Sequence, residues 1–210
     1  MKNLIIVGAG GFGLEVAAYA EDMHHKGKGG FTVKGFMDDA KKVGSNHANY
    51  PILSNTNAEI DKGALYIIAV GAPLSRAALA EKLAAKGATF TTIIHPQSYV
   101  ATGVKIGDGS IIAPFAFVGP KAHVGKQCVL NVHACVGHEA TLGDYCILSP
   151  GAGLNGSAIL EEGVFMGSDA TITAGQRVGK GAKISAGAVV YTEIPADVVA
   201  LGNPAAFRQN

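Results

Sequence analysis

The pair of residues most able to carry chemistry lies in the second half of the chain, where His138 is followed directly by Glu139. A neutral imidazole near pH 7 can accept a proton, so His138 is a candidate general base. Alternation along the chain would point this ring inward, but Gly137 before it marks a corner at which alternation breaks. Because an unpartnered imidazole among small apolar residues is costly to bury, we expect the ring to point outward.

A second candidate site lies near the N-terminus, where the segment GAGGFG at residues 8–13 fits the pattern G-x-G-x-x-G. An apolar strand pattern at 4–7 precedes it and a helix-prone stretch at 14–24 follows. Glycines in this context allow a phosphate to approach a helix N-terminus, and Asp38 and Asp39 further along could bind a ribose hydroxyl. The motif therefore predicts a nucleotide-sugar or similar phosphate ligand. The alternatives are a turn that only packs helix on strand and a nicotinamide site, for which the sheet is too short to supply two mononucleotide-binding halves.

The elements that position His138 follow from a strict repeat of six residues. Sixteen consecutive aliphatic residues stand at this spacing: Val100, Ile106, Ile112, Val118, Val124, Leu130, Val136, Leu142, Leu148, Leu154, Leu160, Met166, Ile172, Val178, Ile184 and Val190. The residue two positions before each is small, with Gln176 as the exception. A period of six fits a triangular coil with one hexad per side and both residues pointing inward, so Cys128 should stack under Cys146, 18 residues on.

These patterns predict two domains. Residues 1–94 alternate strands (4–7, 32–37, 65–70 and 89–94) with helices (14–24 and 75–86), which indicates an α/β, Rossmann-like small parallel sheet. Residues 95–210 are predicted to form a left-handed parallel β-helix of hexapeptide repeats with a C-terminal tail. We expect residues 191–210 to leave the β-helix, since Pro195 and Pro204 break the strand pattern.

Composition limits the possible partners and compartment. The formal net charge is +1 and only 16% of residues are charged, so no overall field attracts nucleic acid or a membrane surface. No apolar run approaches the ~20 residues of a membrane span. Three cysteines without a C-x-x-C pair indicate neither disulfides nor a zinc knuckle, and we expect a cytoplasmic protein.

Seven segments in order give the sequence a family resemblance: GAGGFG at 8–13, FMDD at 36–39, IAVG at 68–71, IHP at 94–96, residues 131–139 ending in GHE, SPGA at 149–152, and GNPA at 202–205. Together they resemble the bacterial hexapeptide-repeat sugar acetyltransferases, which include the bacillosamine- and perosamine-pathway N-acetyltransferases and the sialic acid O-acetyltransferases. The resemblance covers nearly the whole chain, and several of these segments lie outside the generic hexapeptide pattern.

The resemblance implies an enzyme that transfers acetyl from acetyl-CoA to the amino group of a nucleotide-linked 4-amino-dideoxy sugar in bacterial surface glycan biosynthesis. It implies a homotrimer with active sites between subunits, no metal, and direct attack on the thioester. His138 would be the base, and Glu139 would raise its basicity. The implied substrate residues are Gly10, Gly11, Phe12, Asp38, Asp39 and Asn131. The implied coenzyme residues are Ile147, Gly156, Ser168 and Ala186.

Two positions depart from this family. Phe12 stands where many members carry a histidine in the glycine loop, so the base or the sugar is expected to differ. Ile147 stands where many carry a histidine near the thioester. An apolar side chain cannot hydrogen-bond the acetyl carbonyl, so either a backbone amide serves or the acyl group is not acetyl. We expect Ile147 to face outward, next to inward Leu148.

Three other functions remain open from the sequence. An O-acetyltransferase of the sialic acid type would use the same site. A γ-class carbonic anhydrase would place three histidines on zinc; His133 and His138 have a suggestive spacing, but the third ligand would fall near Gln97, a poor zinc ligand. With the anhydrase set aside, His133 is a surface or interface residue or a minor substrate contact. A non-catalytic trimeric scaffold would use neither histidine.

Overall fold

The computed structural model describes residues 1–208, and it confirms the predicted α/β domain followed by a β-helix. The first domain is a six-stranded sheet in the order β3-β4-β2-β1-β5-β6, in which the β3–β4 pair is antiparallel and the other pairs are parallel. Its elements are β1 Lys2–Val7, α1 Gly11–His25, β2 Phe31–Met37, β3 Asn46–His47, β4 Tyr50–Ser54, β5 Leu65–Ile68, α2 Pro73–Ala85 and β6 Thr89–Phe90.

The glycine motif joins β1 to α1 as its pattern predicts. Gly8 has a φ of +106°, and a Cβ on Gly13 would collide with the carbonyl oxygen of Gly8. Both positions therefore require glycine, because the first turn of α1 packs directly on the end of β1. Gly10 and Gly11 have open space where a Cβ would be, and both are exposed at the start of the 15-residue helix.

The β-helix consists of short strands stacked in three parallel columns. Its strands are β7 Ile93–Ile94, β8 Tyr99–Val100, β9 Lys105–Ile106, β10 Ile111–Ile112, β11 Phe117–Val118, β12 His123–Val124, β13 Val129–Leu130, β14 Cys135–Val136, β15 Thr141–Leu142, β16 Ile147–Leu148, β17 Gly153–Leu154, β18 Ile159–Leu160, β19 Phe165–Met166, β20 Thr171–Ile172, β21 Arg177–Val178, β22 Lys183–Ile184, β23 Val189–Val190, β24 Val199–Leu201 and β25 Ala206–Arg208.

We call the three columns face 1, face 2 and face 3. Face 1 contains β7, β10, β13, β16, β19, β22 and β24, with β25 added antiparallel at its end. Face 2 runs from β8 to β23 through β11, β14, β17 and β20, and face 3 runs from β9 to β21 through β12, β15 and β18. Paired residues in a column are 18 apart, as in the register of Val129 with Ile147, so three hexads make one coil.

The predicted phase of the repeat is confirmed. Fourteen of the sixteen hexad ends, from Ile112 to Val190, are 0% exposed and form one continuous core. Val100 and Ile106 are only partly buried because they lie at the first coil, where the prism is open. Cys128 and Cys146 are free, buried and stacked in adjacent coils, and burial raises the pKa of the Cys128 thiol to about 12.

Two boundaries differ from the prediction. Residues 89–94 do not form one strand: β6 closes the sheet of the first domain, whereas β7 pairs with β10 and begins face 1. Residues 191–208 do not leave the β-helix at once, since Ile194, Val198 and Ala200 remain in its core and β24 pairs with β22. The last two residues of the predicted 95–210 domain lie outside the described residues.

The first domain packs on face 1 through an apolar interface. Outward residues of that face, Ile93, Ile111, Val129 and Ile147, share one buried cluster with the inner side of α1. At its edge His95, 2% exposed, bonds from Nε2 to Asp22 of α1 at 3.0 Å and accepts the Gln97 amide at Nδ1. The N-terminal domain therefore covers face 1 from β7 to β16, whereas Lys183 of β22 on the same face is exposed, and it leaves faces 2 and 3 open.

Candidate active site

His138 and Glu139 occupy a corner of the β-helix between face 2 and face 3. Outward projection of His138, expected from the cost of burying it, is observed: its side chain is 67% exposed. Its Nδ1 lies 3.3 Å from Oε2 of Glu139, whose other oxygen lies 3.4 Å from Nζ of Lys121. The bond to His138, and then Lys121, hold the pKa of the Glu139 carboxyl below its ordinary value. The tautomer that donates from Nδ1 to Glu139 leaves the Nε2 lone pair free to accept a proton.

Gly156, one coil further along, lies directly against the imidazole of His138. A Cβ built on Gly156 would be 2.5 Å from Nε2, 2.6 Å from Cε1 and 3.1 Å from Cδ2 of that ring. These three ring atoms are the nearest neighbours of the missing Cβ, so the absence of a side chain is what allows the ring to rest there. The resemblance assigns Gly156 to the coenzyme; the structure adds a contact with the base itself.

Three of the four predicted coenzyme residues fall on two different corners of the prism. Gly156 shares the His138 corner, whereas Ser168 and Ala186 are exposed, 18 residues apart, at the corner between face 1 and face 2. Coils approach closely at this second corner, since a Cβ on Gly167 would lie 2.5 Å from the amide nitrogen of Ala186. A single chain therefore does not bring these three residues into one groove.

A cavity of about 180 Å³ lies between the two domains beside that second corner. It is lined by Phe12, Glu15, Gly71, Val129, Asn131, Ile147, Ser149 and Phe165. It brings together three predicted site residues, Phe12, Asn131 and Ile147, from both domains. Sequence reasoning missed Glu15, Gly71 and Ser149; the IAVG and SPGA segments contain two of them and were the available signal.

The orientation of Ile147 was predicted only in part. Its side chain does leave the prism, but it is 4% exposed because the N-terminal domain covers it. It therefore lies in the interdomain cluster and against the cavity that holds Phe12, rather than on an open surface. The reason is that face 1, unlike the other faces, has a second domain packed on it.

The two aspartates that follow β2 are held by the backbone around the glycine loop. Asp38 accepts the Ala9 amide at 2.7 Å, which ties it to the loop, and its second oxygen accepts the Ala40 and Lys41 amides. Asp39 accepts both the amide and the hydroxyl of Thr56 at 2.7 Å, and these bonds lower the pKa of its carboxyl. Asp38 thus borders the exposed Gly10–Gly11 surface, while Asp39 braces the segment after β4.

The remaining histidines of the coils do not form a cluster. His133 is exposed and stacks on Phe115, with ring centroids 5.2 Å apart. No group of three or more His, Cys, Asp or Glu side chains able to hold a metal ion occurs within residues 1–208. In the same part of the chain, no helix has the length and hydropathy needed to cross a membrane.

Family models match three parts of the sequence. Residues 3–83 match the PglD N-terminal domain, residues 91–120 match the bacterial transferase hexapeptide (six repeats), and residues 157–192 match the hexapeptide repeat of succinyl-transferase. A 2,3,4,5-tetrahydropyridine-2,6-dicarboxylate N-acetyltransferase of Staphylococcus aureus is 49% identical over 47 residues, which is 22% of this chain and 20% of that protein. The match thus spans about a fifth of the length of such relatives.

Solved structures match nearly the whole chain. The acetyltransferase domain of PglB from Neisseria gonorrhoeae, in complex with acetyl coenzyme A, has a TM-score of 0.88 and 29% identity and covers 99% of each chain. PerB from Caulobacter crescentus, in complex with CoA and GDP-perosamine, has a TM-score of 0.87 and 25% identity and covers 100% of this chain and 98% of its own. The chain therefore joins a PglD-type N-terminal domain to a hexapeptide-repeat β-helix, and its resemblance to the bacterial hexapeptide-repeat sugar acetyltransferases is confirmed.

Proposed function

We propose that this protein transfers acetyl from acetyl-CoA to the amino group of a nucleotide-linked 4-amino-dideoxy sugar, in the biosynthesis of bacterial surface glycans. The observation that carries the proposal is the His138–Glu139 pair, held over Gly156 at an exposed corner. Support also comes from the structural neighbours, which are named as acetyltransferases and were solved with acetyl coenzyme A or with GDP-perosamine.

The reaction requires one proton acceptor and no covalent enzyme intermediate. The amine nitrogen attacks the thioester carbon, so that a C–N bond forms while the C–S bond breaks. The proton lost from nitrogen passes to Nε2 of His138, and Glu139 stabilises the imidazolium that results. The coenzyme leaves as a thiolate and takes up that proton, which restores the neutral imidazole.

We further propose that the working enzyme is a homotrimer. Asn131 and His138 lie at opposite ends of one strand of face 2, at different corners of the prism, so the interdomain cavity and the base do not meet in one chain. If face 2 of each subunit turns toward a threefold axis, the cavity corner of one subunit meets the His138 corner of the next. Exposed aromatic rings on face 2 support this arrangement: Tyr99 is 57% and Phe117 40% exposed, and the two stack at 5.1 Å.

The base is tested by His138→Ala, with His25→Ala as the matched control, since His25 is an exposed histidine in the last turn of α1, away from the glycine loop and from both corners. Thiol release from acetyl-CoA would be followed with a panel of UDP-, GDP- and dTDP-linked 4-amino sugars. We expect one panel member to be a substrate, and His138→Ala to lose about 100-fold or more of its turnover, whereas His25→Ala retains it. Turnover by His138→Ala would contradict the base. Thiol release with hydroxyl sugars but not with amines would favour O-acetylation.

The shared site is tested by mixing two inactive chains. Gly71→Trp should fill the interdomain cavity, because Gly71 lines it and a Cβ there would meet no atom within 4 Å other than those of its chain neighbours. Refolded mixtures of Gly71→Trp and His138→Ala should regain up to about a quarter of wild-type turnover, since random assembly recreates some native sites. Mixtures that remain inactive would contradict a site between subunits.

The compartment follows from the thiols. The three cysteines are free in the structure, which suits a reducing environment, and we propose that the protein works in the cytoplasm.

A further inference from the structure

Arg76 of α2 is the largest fully buried side chain of the described residues, with 0% exposure. All of its hydrogen bonds go to backbone carbonyls: Nε donates to Gln127 at 2.6 Å, Nη2 to Gly109 at 2.8 Å, and Nη1 to Ile68 and Val70. Within residues 1–208, no carboxylate lies within salt-bridge distance of this guanidinium. Burial lowers the pKa of Arg76 to about 10, so it stays charged at neutral pH.

The four carbonyls belong to both domains. Ile68 ends the β5 strand of the N-terminal sheet and Val70 lies two residues beyond it, whereas Gly109 and Gln127 occupy one corner of two successive β-helix coils, 18 residues apart. The planar guanidinium therefore joins the end of one strand to two coils at once. Arginine can do this because its donors are fixed in a rigid fork.

The segment that Arg76 holds forms part of the wall of the interdomain cavity. Gly71, which directly follows Val70, forms part of its N-terminal wall, and Asn131, Ile147 and Ser149 form its β-helix wall. The distance between the two walls is therefore set in part by the Arg76 bonds. Of the predicted coenzyme residues, Gly156, Ser168 and Ala186 lie within the β-helix, away from this joint. Ile147 alone lines the cavity, and the resemblance places it near the thioester, which coenzyme A itself lacks.

Holding the domains together does not by itself require Arg76. The apolar cluster between α1 and face 1 and the His95–Asp22 bond already dock them. A buried cation without a carboxylate partner is expensive, and an apolar residue of similar volume often stabilises such a site more. The protein nevertheless buries this unpaired cation, which indicates a geometric role for Arg76. Only a fork of donors can fix the end of β5 against two coils at once.

We propose that Arg76 is a positioning residue for the nucleotide-sugar site, which it serves by fixing the 68–71 segment against the β-helix. This inference rests on the proposed function. It predicts a split between ligands: loss of the fork should weaken binding in the interdomain cavity and leave coenzyme binding intact.

The experiment uses the full-length protein as Arg76→Met and Arg76→Lys, with Arg177→Met as the matched control. Arg177 is a surface arginine, 46% exposed, paired with Glu161. Calorimetry would measure binding of coenzyme A and of UDP, GDP and dTDP as nucleotide probes, and hydrogen exchange would follow the amides of 68–71. We expect both Arg76 variants to bind the preferred nucleotide about tenfold or more weakly, with faster exchange at 68–71 and coenzyme affinity within about twofold of wild type.

The possible outcomes distinguish a failure of this inference from a failure of the proposed function. Nucleotide affinity of Arg76→Lys equal to wild type would overturn the inference, because charge without the fork would then suffice. A parallel fall of coenzyme and nucleotide affinity would overturn it as well, since Arg76 would then serve general stability. Should Arg76→Met fail to fold, Arg76→Lys alone decides. A wild-type chain that binds coenzyme A but none of the three nucleotides would contradict the proposed function, and this inference with it.

Discussion

Substituting Gly156 by alanine should remove activity through the base while the fold stays intact. The added Cβ would lie 2.5 Å from Nε2 of His138. Since ordinary carbon contacts begin near 3.5 Å, the ring has to move by about 1 Å. The imidazole is mostly exposed and free to swing, and φ at Gly156 is not positive, so alanine should change stability by less than about 1 kcal/mol.

The catalytic loss should be far larger than the change in stability. Displacing a reacting group by about 1 Å can cost about 100-fold in rate, and a general base as a whole contributes roughly 10²–10⁴-fold. We therefore expect turnover of Gly156→Ala, measured as thiol release, to fall about 10- to 100-fold. The thermal midpoint should stay within a few degrees of wild type.

A double-substitution cycle separates this explanation from a direct contact between Gly156 and the coenzyme. In a His138→Ala background the ring is gone, so the alanine at 156 has room and should cause no further loss. A coenzyme contact would instead weaken coenzyme A binding in both backgrounds. Equal loss of coenzyme affinity with and without His138, or full turnover by Gly156→Ala, would refute the reasoning.

Three other outcomes follow from the geometry. Glu139→Gln should lower turnover about tenfold with unchanged coenzyme affinity, because the amide cannot stabilise an imidazolium; full turnover would contradict that role. Since burial raises the pKa of the Cys128 and Cys146 thiols, their thiolate fractions at about pH 8 should be far below that of a free cysteine. Iodoacetamide should then leave Cys128 and Cys146 unlabelled in the native protein, and mass spectrometry that finds either of them modified would contradict this. Leu148→Ala in the prism core should cost about 2–5 kcal/mol, seen as a lower thermal midpoint; an unchanged midpoint would contradict the packing.

The β-helix was predictable because its signal is repeated and local. Each hexad places an aliphatic residue at its end, and Ile112 through Val190 are buried without a slip. The same phase extends one hexad further toward the N-terminus than predicted. Ile94 stands six residues before Val100, and it belongs to the first strand of face 1. Its position beside a helix favoured the α/β interpretation, because two apolar residues fit either domain.

The contacts between domains could not be predicted in this way. A charged residue at position 76 of an amphipathic helix is normally solvated, and nothing in the pattern distinguishes Arg76 from an exposed arginine. Its partners are carbonyls at Gly109 and Gln127, 33 and 51 residues away. Every residue carries a backbone carbonyl, so these hydrogen-bond partners cannot be recognised from the types of their side chains. The burial of Ile147 escaped prediction for the same reason, because it depends on which face the other domain covers.

The structure joins two sequence features that were interpreted separately. Phe12 was assigned to the nucleotide-sugar site and Ile147 to the coenzyme, and both stand where the family often carries histidine. They line one cavity, with Val129 and Phe165 beside them. An apolar wall built from both domains limits what a bound group can present there, since a polar atom against it would lose hydrogen bonds to water without replacement. The two departures therefore act on a single surface, and the ligand group that meets it must be apolar or must turn its polar atoms toward Glu15, Asn131 or Ser149.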